Sequence, residues 1–241
     1  FMSAMDPFIE WKKQIGYPVE IVDVSTIGNA PAIELFIQDY YDSKGVTFVL
    51  LVGDAPQVPT SSTSAGDSDV AYSYVAGNDH YPDLFVGRFS AETVDQLNTQ
   101  VERTITYEKE PPTDVDWFTI CTGIASDQGP GDDGEYDYQH IRNIHDDLLN
   151  FTYTYDNELF DGSQGGNDAP GNPTPAQVAE DVNTGTSIIN YTGHGSTTSW
   201  GSSGFSNGDV NNLVNDNMLP FVWSVACVNG NFKNNTCFAE A

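Results

Sequence analysis

Two apolar runs in this chain end in reactive side chains. One is Ser187-Ile-Ile-Asn-Tyr-Thr-Gly-His194-Gly195-Ser196, and the other is Leu219-Pro-Phe-Val-Trp-Ser-Val-Ala-Cys227-Val-Asn-Gly230. Each closes on a histidine or a cysteine, with a glycine-containing turn directly after it. A cysteine nucleophile needs a base to form thiolate at neutral pH, and histidine is the usual one. Neighbouring parallel strands lie about 4.8 Å apart, so side chains at adjacent strand ends can meet. Gly193 and Gly195 let the backbone approach a substrate, and the amides of Gly195 and Cys227 can hold the oxyanion of a tetrahedral intermediate. A plainer reading stands beside this one. A lone strand-end cysteine is ordinarily a buried packing residue, and a Gly-His-Gly turn is ordinarily structural. In a chain with only three cysteines and four histidines, the joint placement weighs the two readings evenly.

The elements that must position these residues follow a repeated strand, loop, helix rhythm. Helices are expected over Asp6–Gly16, Pro31–Tyr41, Ala91–Glu108, Tyr136–Leu149 and Thr174–Asn183, the last with Thr174 as cap and Pro175 in its first turn. Strands are expected over Val19–Val24, Val46–Val52, Leu84–Phe89, Trp117–Ile124, from Tyr153, over Thr186–Tyr191 and over Leu219–Ala226. Val46–Val52 is nearly all apolar, which predicts a strand buried on both faces. Residues 56–69, 127–134 and 161–173 read as loops, and Glu110-Pro111-Pro112 as a linker. Such alternation means an α/β fold with largely parallel sheets, in which ligands bind at the carboxyl ends of strands.

The chain has 241 residues and a formal charge of −27, with eight lysines and arginines against 35 acids. Such a field repels phosphate backbones, so no nucleic-acid partner is expected. No apolar run is long enough for a membrane span. The acidic, Lys-poor composition points to a secreted or halophilic setting. Three cysteines are too few for a disulfide scaffold. Phe1 opens no signal peptide and the Cys237–Ala241 end stops without a helix cap, so both ends read as cut. Other chemistries fail on spacing. His140 and His145 are not the i, i+4 pair of a zinc peptidase, and neither a Gly-x-Ser-x-Gly elbow nor a phosphate-binding glycine loop occurs.

Asn190-Tyr-Thr-Gly-His-Gly-Ser196, Val225-Ala-Cys-Val-Asn-Gly230 and Cys237-Phe-Ala-Glu-Ala241 together resemble the gingipain family of cysteine peptidases. So do Gly77-Asn-Asp-His-Tyr81, Phe85-Val-Gly-Arg-Phe-Ser90 and Gly134-Glu-Tyr-Asp-Tyr-Gln-His140. The resemblance runs over nearly the whole chain. It implies a caspase-like fold of two side-by-side α/β subdomains, residues 1–112 and 113–241, with the C-terminal part of the catalytic unit missing. It implies His194 as general base, Cys227 as nucleophile and Asp137 as the carboxylate flooring a pocket for a substrate Arg or Lys. A fixed carboxylate is chemically suited to that pairing. The family's acid that orients the histidine falls at or beside Gln128, where the loop is shorter, and Asp127 is the neighbouring candidate.

The resemblance also implies structural Ca²⁺ on the side chains of Asp79 and Asp83 and the carbonyls of Ala76 and Tyr81. Carboxylate and carbonyl oxygens are the hard ligands that ion takes. The acid-rich stretch Asp127–Asp137 is either a second ion site or a solvated loop. The function implied is a secreted or cell-surface cysteine endopeptidase cutting protein substrates after Arg or Lys. Two rivals remain: a caspase- or legumain-like peptidase of other P1 preference with the same dyad, and a non-catalytic, calcium-stabilised surface module.

Overall fold

A computed structural model describes residues 1–63, 66–113, 115–132, 134–233 and 236–241. Parts of two expected loops, residues 64 and 65 and residue 133, lie outside the described residues. The chain divides into two compact units, Phe1–Pro111 and Pro112–Ala241.

The first unit contains α1 (Asp6–Gln14), α2 (Ala30–Lys44), β1 (Phe48–Val52), β2 (Ser61–Thr63), β3 (Gly66–Ser68), β4 (Phe85–Phe89) and α3 (Val94–Lys109). Helix α2 begins where the Asn29 side chain accepts the Ala32 N–H and ends at Gly45, whose φ of 77° suits a residue without Cβ. Helix α3 opens with a reciprocal capping box between Thr93 and Gln96. Strands β1 and β4 pair in parallel, with Phe48 opposite Phe85 and Val52 opposite Phe89. Ile33 and Ile37 of α2 pack with Leu51, Tyr72, Val75 and Leu84, while Leu97 and Val101 of α3 pack with Met5 and Ala91.

Three expectations in this unit need correction. Val19–Val24 is not a strand. Ile21 and Val22 are exposed, and among the described residues no strand edge takes up its backbone groups, without which extended chain is not sheet. Val46–Val52 is not buried on both faces. Its sheet has two strands, only Leu51 is buried, and Phe48 stands 57% exposed. The loop 56–69 contains the antiparallel pair β2–β3.

The second unit contains β5 (Ile120–Ala125), α4 (Asp137–Phe151), β6 (Tyr155–Phe160), α5 (Pro175–Thr184), β7 (Ile188–Thr192), β8 (Gly195–Ser196), β9 (Ser199–Trp200), α6 (Asn207–Val210) and β10 (Phe221–Val225). Four strands form one parallel sheet in the order β10-β7-β5-β6. Residues 117–119, expected at the start of a strand, instead belong to a 3₁₀ turn, Asp116–Thr119, in which the Thr119 hydroxyl bonds the Asp116 carbonyl. A polar side chain offering a local partner competes with the ladder.

The sheet is covered on both faces. Ile141 of α4 packs against Ala125 and Phe160, and Val178 and Val182 of α5 pack against Ile124, Leu159, Ile189 and Tyr191. Gly123 sets how close α4 comes. A Cβ there would lie 2.4 Å from Ile141 Cγ2 and 2.6 Å from His145 Cε1. Arg142 locks the same helix to β6 through a two-pronged pair with the buried Glu158, at 2.7 and 2.6 Å.

Among the described residues of this unit, His145, Asp181, Asn190 and Asn207 each have a buried polar atom without a hydrogen bond, and the first two are titratable. His145 is fully buried with both ring nitrogens unbonded, 3.8 Å from the Asp156 carboxylate, and burial holds its pKa below the usual value. Asp181 on α5 has an unbonded, buried Oδ2, and burial, aided by the charge of Glu180, pushes its pKa up to about 7. The unfolded carboxyl ionises near 3.8, so the folded chain holds a proton that the unfolded chain has lost. Stability therefore falls as pH rises from about 4 through 7. Asp181→Asn removes that penalty. Its gain in unfolding free energy over the unsubstituted chain, from urea titration, is expected to grow between pH 5 and pH 8 by on the order of a few kcal/mol. A gain independent of pH would contradict an Asp181 that ionises in place.

Candidate active site

The pairing of β7 with β10 places the reactive residues. The strands run parallel, with Ile188 opposite Phe221 and Thr192 opposite Val225, and the Gly193 N–H continues the ladder to the Val225 carbonyl at 3.2 Å. His194 lies two residues beyond Thr192, and Cys227 two residues beyond Val225. The two therefore leave neighbouring strands at the same level, at the carboxyl end of the sheet.

Of the three cysteines, Cys227 is exposed, whereas Cys121 and Cys237 are buried. Burial raises those two thiols, to about 12 for Cys121 and about 11 for Cys237, so neither supplies thiolate near neutrality. Val228, next to Cys227, has a φ of 54°, the left-handed region that a β-branched residue avoids. Strain of this kind, costing roughly 1–3 kcal/mol, persists only where the surroundings hold it.

The turn carrying His194 is braced from within the sheet. Tyr191 of β7 is buried and stacks on Trp200 of β9, with ring centroids 4.7 Å apart and planes 5° apart. Its hydroxyl donates to the His194 carbonyl and accepts the N–H groups of Gly201 and Ser202 at 3.0 and 3.2 Å. The Gly201 N–H also reaches the His194 carbonyl, at 2.7 Å. The hairpin β8–β9 pairs Gly195 with Trp200 and returns the chain to His194.

Asp137 stands at the first position of α4, where the helix dipole favours a carboxylate. Its Oδ2 accepts a very short bond from the Ser126 hydroxyl, and its N–H donates to the Gln128 carbonyl at 2.9 Å. It lines a cavity of about 560 Å³ with Asp132, Glu135, Tyr136, His140 and Thr192. Thr192 ends β7, so this acidic cavity adjoins the strand end that leads to His194.

Asp161, directly after β6, is an acid whose charge is coupled to both Asp127 and His194. Burial raises its pKa, while a Ser202 hydrogen bond and then the nearby His194 lower it, against the opposing charge of Asp127. Sequence reasoning passed over Asp161. Its signal was an acid at the carboxyl end of a strand, obscured because the residue was assigned to a loop. Asn229 and Ser126 were also passed over, and nothing in their sequence context distinguishes them.

Ala76, Asp79, Tyr81 and Asp83 lie together in the first unit. Asp83 Oδ2 accepts the N–H groups of Val75 and Ala76 at 3.0 and 2.8 Å, and Asp79 Oδ1 accepts that of Tyr81 at 2.9 Å. Two carboxylates and several carbonyls on one short loop fit the oxygen chemistry of Ca²⁺. Among the described residues no group of three or more His, Cys, Asp or Glu is placed to hold a metal.

A parallel sheet with a thiol and an imidazole at neighbouring strand ends is the arrangement of a caspase-like cysteine peptidase. Residues 1–241 match the model of peptidase family C25, and the chain belongs to that family. Gingipain R2 of Porphyromonas gingivalis is 41% identical over 249 residues, covering all of this chain and 33% of the relative. Lys-gingipain HG66 of the same species is 26% identical over 253 residues, covering 14% of its own length. The crystal structure of the Arg specific cysteine proteinase gingipain R superposes with a TM-score of 0.92 at 38% identity, over 99% of this chain and 55% of that one. The complex of RgpB pro- and mature domains gives the same score at 39% identity and 56% coverage. The chain thus spans about a third of its gingipain R2 relative and about half of the solved chains. Among the described residues no helix is long and apolar enough to cross a membrane.

Gly195 permits the close packing of the two turns. A Cβ there would sit 2.8 Å from Ala226 Cβ, 2.9 Å from the Cys227 carbonyl oxygen and 3.0 Å from Asn229 Nδ2. Gly195→Ala is expected to lower stability by roughly 1–3 kcal/mol in denaturant unfolding. Gly208→Ala, whose Cβ meets only Ser206 Oγ at 3.6 Å, is the control expected to leave it unchanged.

Proposed function

We propose that this chain forms most of the catalytic unit of a secreted cysteine endopeptidase that cleaves after arginine, and less well after lysine. The observation that carries this reading is the β7–β10 register, in which the strands leading to His194 and to an exposed Cys227 end at the same level. The Arg specific proteinase named above, at 38% identity, supports the preference for arginine. The acidic, Lys-poor composition supports secretion.

In this mechanism His194 takes the proton of the Cys227 thiol, and Sγ attacks the scissile carbonyl carbon. The Gly195 and Cys227 amides hold the oxyanion. As the C–N bond breaks, His194 returns the proton to the leaving amine, and a thioester remains on Cys227. Water, deprotonated by His194, hydrolyses it and restores the thiol. Asp161 stabilises the imidazolium, which is the role expected of Asp127 or Gln128. Asp137, held by Ser126, pairs with the substrate guanidinium. The outer edge of β10 supports completion of the sheet by further polypeptide, since Phe221, Trp223 and Val225 stand more than half exposed there.

The test uses the full-length protein with fluorogenic peptides bearing Arg, Lys, Asn or Asp at P1. Cleavage after Arg, lost in Cys227→Ala, is expected. Asp137→Asn should lower kcat/KM for the Arg peptide by roughly 2–3 kcal/mol, some thirty- to 150-fold. A folded protein that cleaves none of the four, with Cys227 unlabelled by thiol probes, would sink the enzyme reading.

Calcium held by Asp79, Asp83 and the Ala76 and Tyr81 carbonyls belongs to the same proposal. Bound at a hundred times its Kd, the ion adds about 2.7 kcal/mol of stability. Tm is therefore expected to rise with calcium and fall with chelator, and Asp83→Asn should blunt both. A Tm indifferent to millimolar calcium would remove the ion from the account.

A further inference from the structure

Asn229, two residues after Cys227, is 3% exposed, yet its side chain is fully engaged. Its Oδ1 accepts the Ser224 hydroxyl at 2.8 Å, and its Nδ2 donates to the carbonyls of Ser196 at 2.5 Å and Ser199 at 3.1 Å. The amide has one workable orientation, because a flip would face its oxygen toward two carbonyls. Ser224 is fixed in turn, its oxygen accepting the Trp200 Nε1–H at 2.9 Å. Ser196 and Ser199 frame the turn of the β8–β9 hairpin, whose first residue, Gly195, follows His194. One side chain from the thiol-bearing turn therefore grips both sides of the turn that follows the imidazole. Between Cys227 and this anchor lies Val228 in its left-handed conformation. With β10 pinning residue 225 and the amide pinning residue 229, the two residues next to Cys227 are held at both ends.

We propose that Asn229 is a positioning residue that clamps the Cys227 turn to the His194 hairpin and so keeps thiol and imidazole within proton-transfer distance. It acts through its neighbours rather than on substrate. The inference rests on the Cys227–His194 reading above, and the experiment separates the two.

The rate of Cys227 alkylation by iodoacetamide is measured against pH, with the labelled site identified by peptide mapping. The buried Cys121 and Cys237 remain silent. An imidazole beside the thiol sustains reactivity at pH 6, which His194→Ala removes. Asn229→Ala, shown folded by circular dichroism, is expected to lower the rate at pH 6 by at least about tenfold, toward that of His194→Ala. At pH 9.5, where the thiolate forms unaided, it should stay within about twofold. In a His194→Ala background Asn229→Ala should change nothing further. A folded Asn229→Ala with the unsubstituted pH profile overturns the proposal, as does an equal loss at every pH or in both backgrounds.

Should Asn229→Ala not fold, Ser224→Ala decides. It frees Oδ1 but keeps both Nδ2 bonds, so a smaller shift in the same direction is expected, and an unchanged profile overturns the clamp. If His194→Ala leaves the acid-side reactivity intact, the dyad reading itself has failed and the clamp falls with it. If only the Asn229 and Ser224 variants are without effect, the dyad stands and the clamp alone is wrong.

Discussion

The parallel register between β7 and β10 is the constraint on which the site depends. Hydrogen bonds from residue 188 to residue 193 tie one strand to its neighbour over its whole length. A slip of one residue would turn every side chain of β10 to the opposite face of the sheet. It would also move Cys227 away from the level of His194. Burial fixes the inner partner, since Ile189 and Tyr191 of β7 lie under α5 beside Ile124 of β5. The side chains of β10 are exposed, so its place is set by the ladder itself and by Ser224, which bonds Trp200 and Asn229.

Beyond the strand ends, positioning passes from the ladder to buried polar groups. Tyr191 leaves the sheet with its ring stacked on Trp200 and its hydroxyl among three backbone groups of the His194 turn. Asn229 and Ser224 do the corresponding work for the Cys227 turn. The aromatic cluster of Trp200, Phe205 and Phe238 lies beneath, and the chain after Cys237 joins it, with the Phe238 N–H on Thr197 and the Ala239 N–H on Asn229. Tyr191 and Asn229 are satisfied and desolvated at once, the condition under which a network specifies one geometry. Asp181 and His145 lie away from the strand ends and do not meet that condition. They remain as unpaired buried groups whose protonation is tied to folding.

The cavity lined by Thr192 also collects Asp132, Glu135 and Asp137, so part of the chain's net charge of −27 is concentrated beside the end of β7. Under the proposed function, that is the charge a cationic side chain would meet. The few basic residues inside the units have structural tasks. Arg142 is paired with Glu158, and Arg88 forms a two-pronged pair with Asp69 while donating to the carbonyls of Gly53 and Val58.

Much of this was legible from the chain alone, for local reasons. Thr174 with Pro175 and Gln177 marks a helix start whatever surrounds it, and the cap forms as read. Apolar runs ending at His194 and Cys227 marked two strands, of which β7 is buried and β10 stands exposed at the edge of the sheet. Other features required the fold. Val19–Val24 has strand composition but no partner edge among the described residues, and a strand exists only in a pair. Asp161 could not be linked to His194 from sequence, because their charges are coupled only through strand order, which sets β6 beside β5 and β5 beside β7. Asn229 likewise looks like any turn residue until its amide is seen to span two loops. Sequence determined the residue types and the local periods. Tertiary structure decided which residues meet, because proximity between distant positions is a property of strand order and register and is written in no single segment.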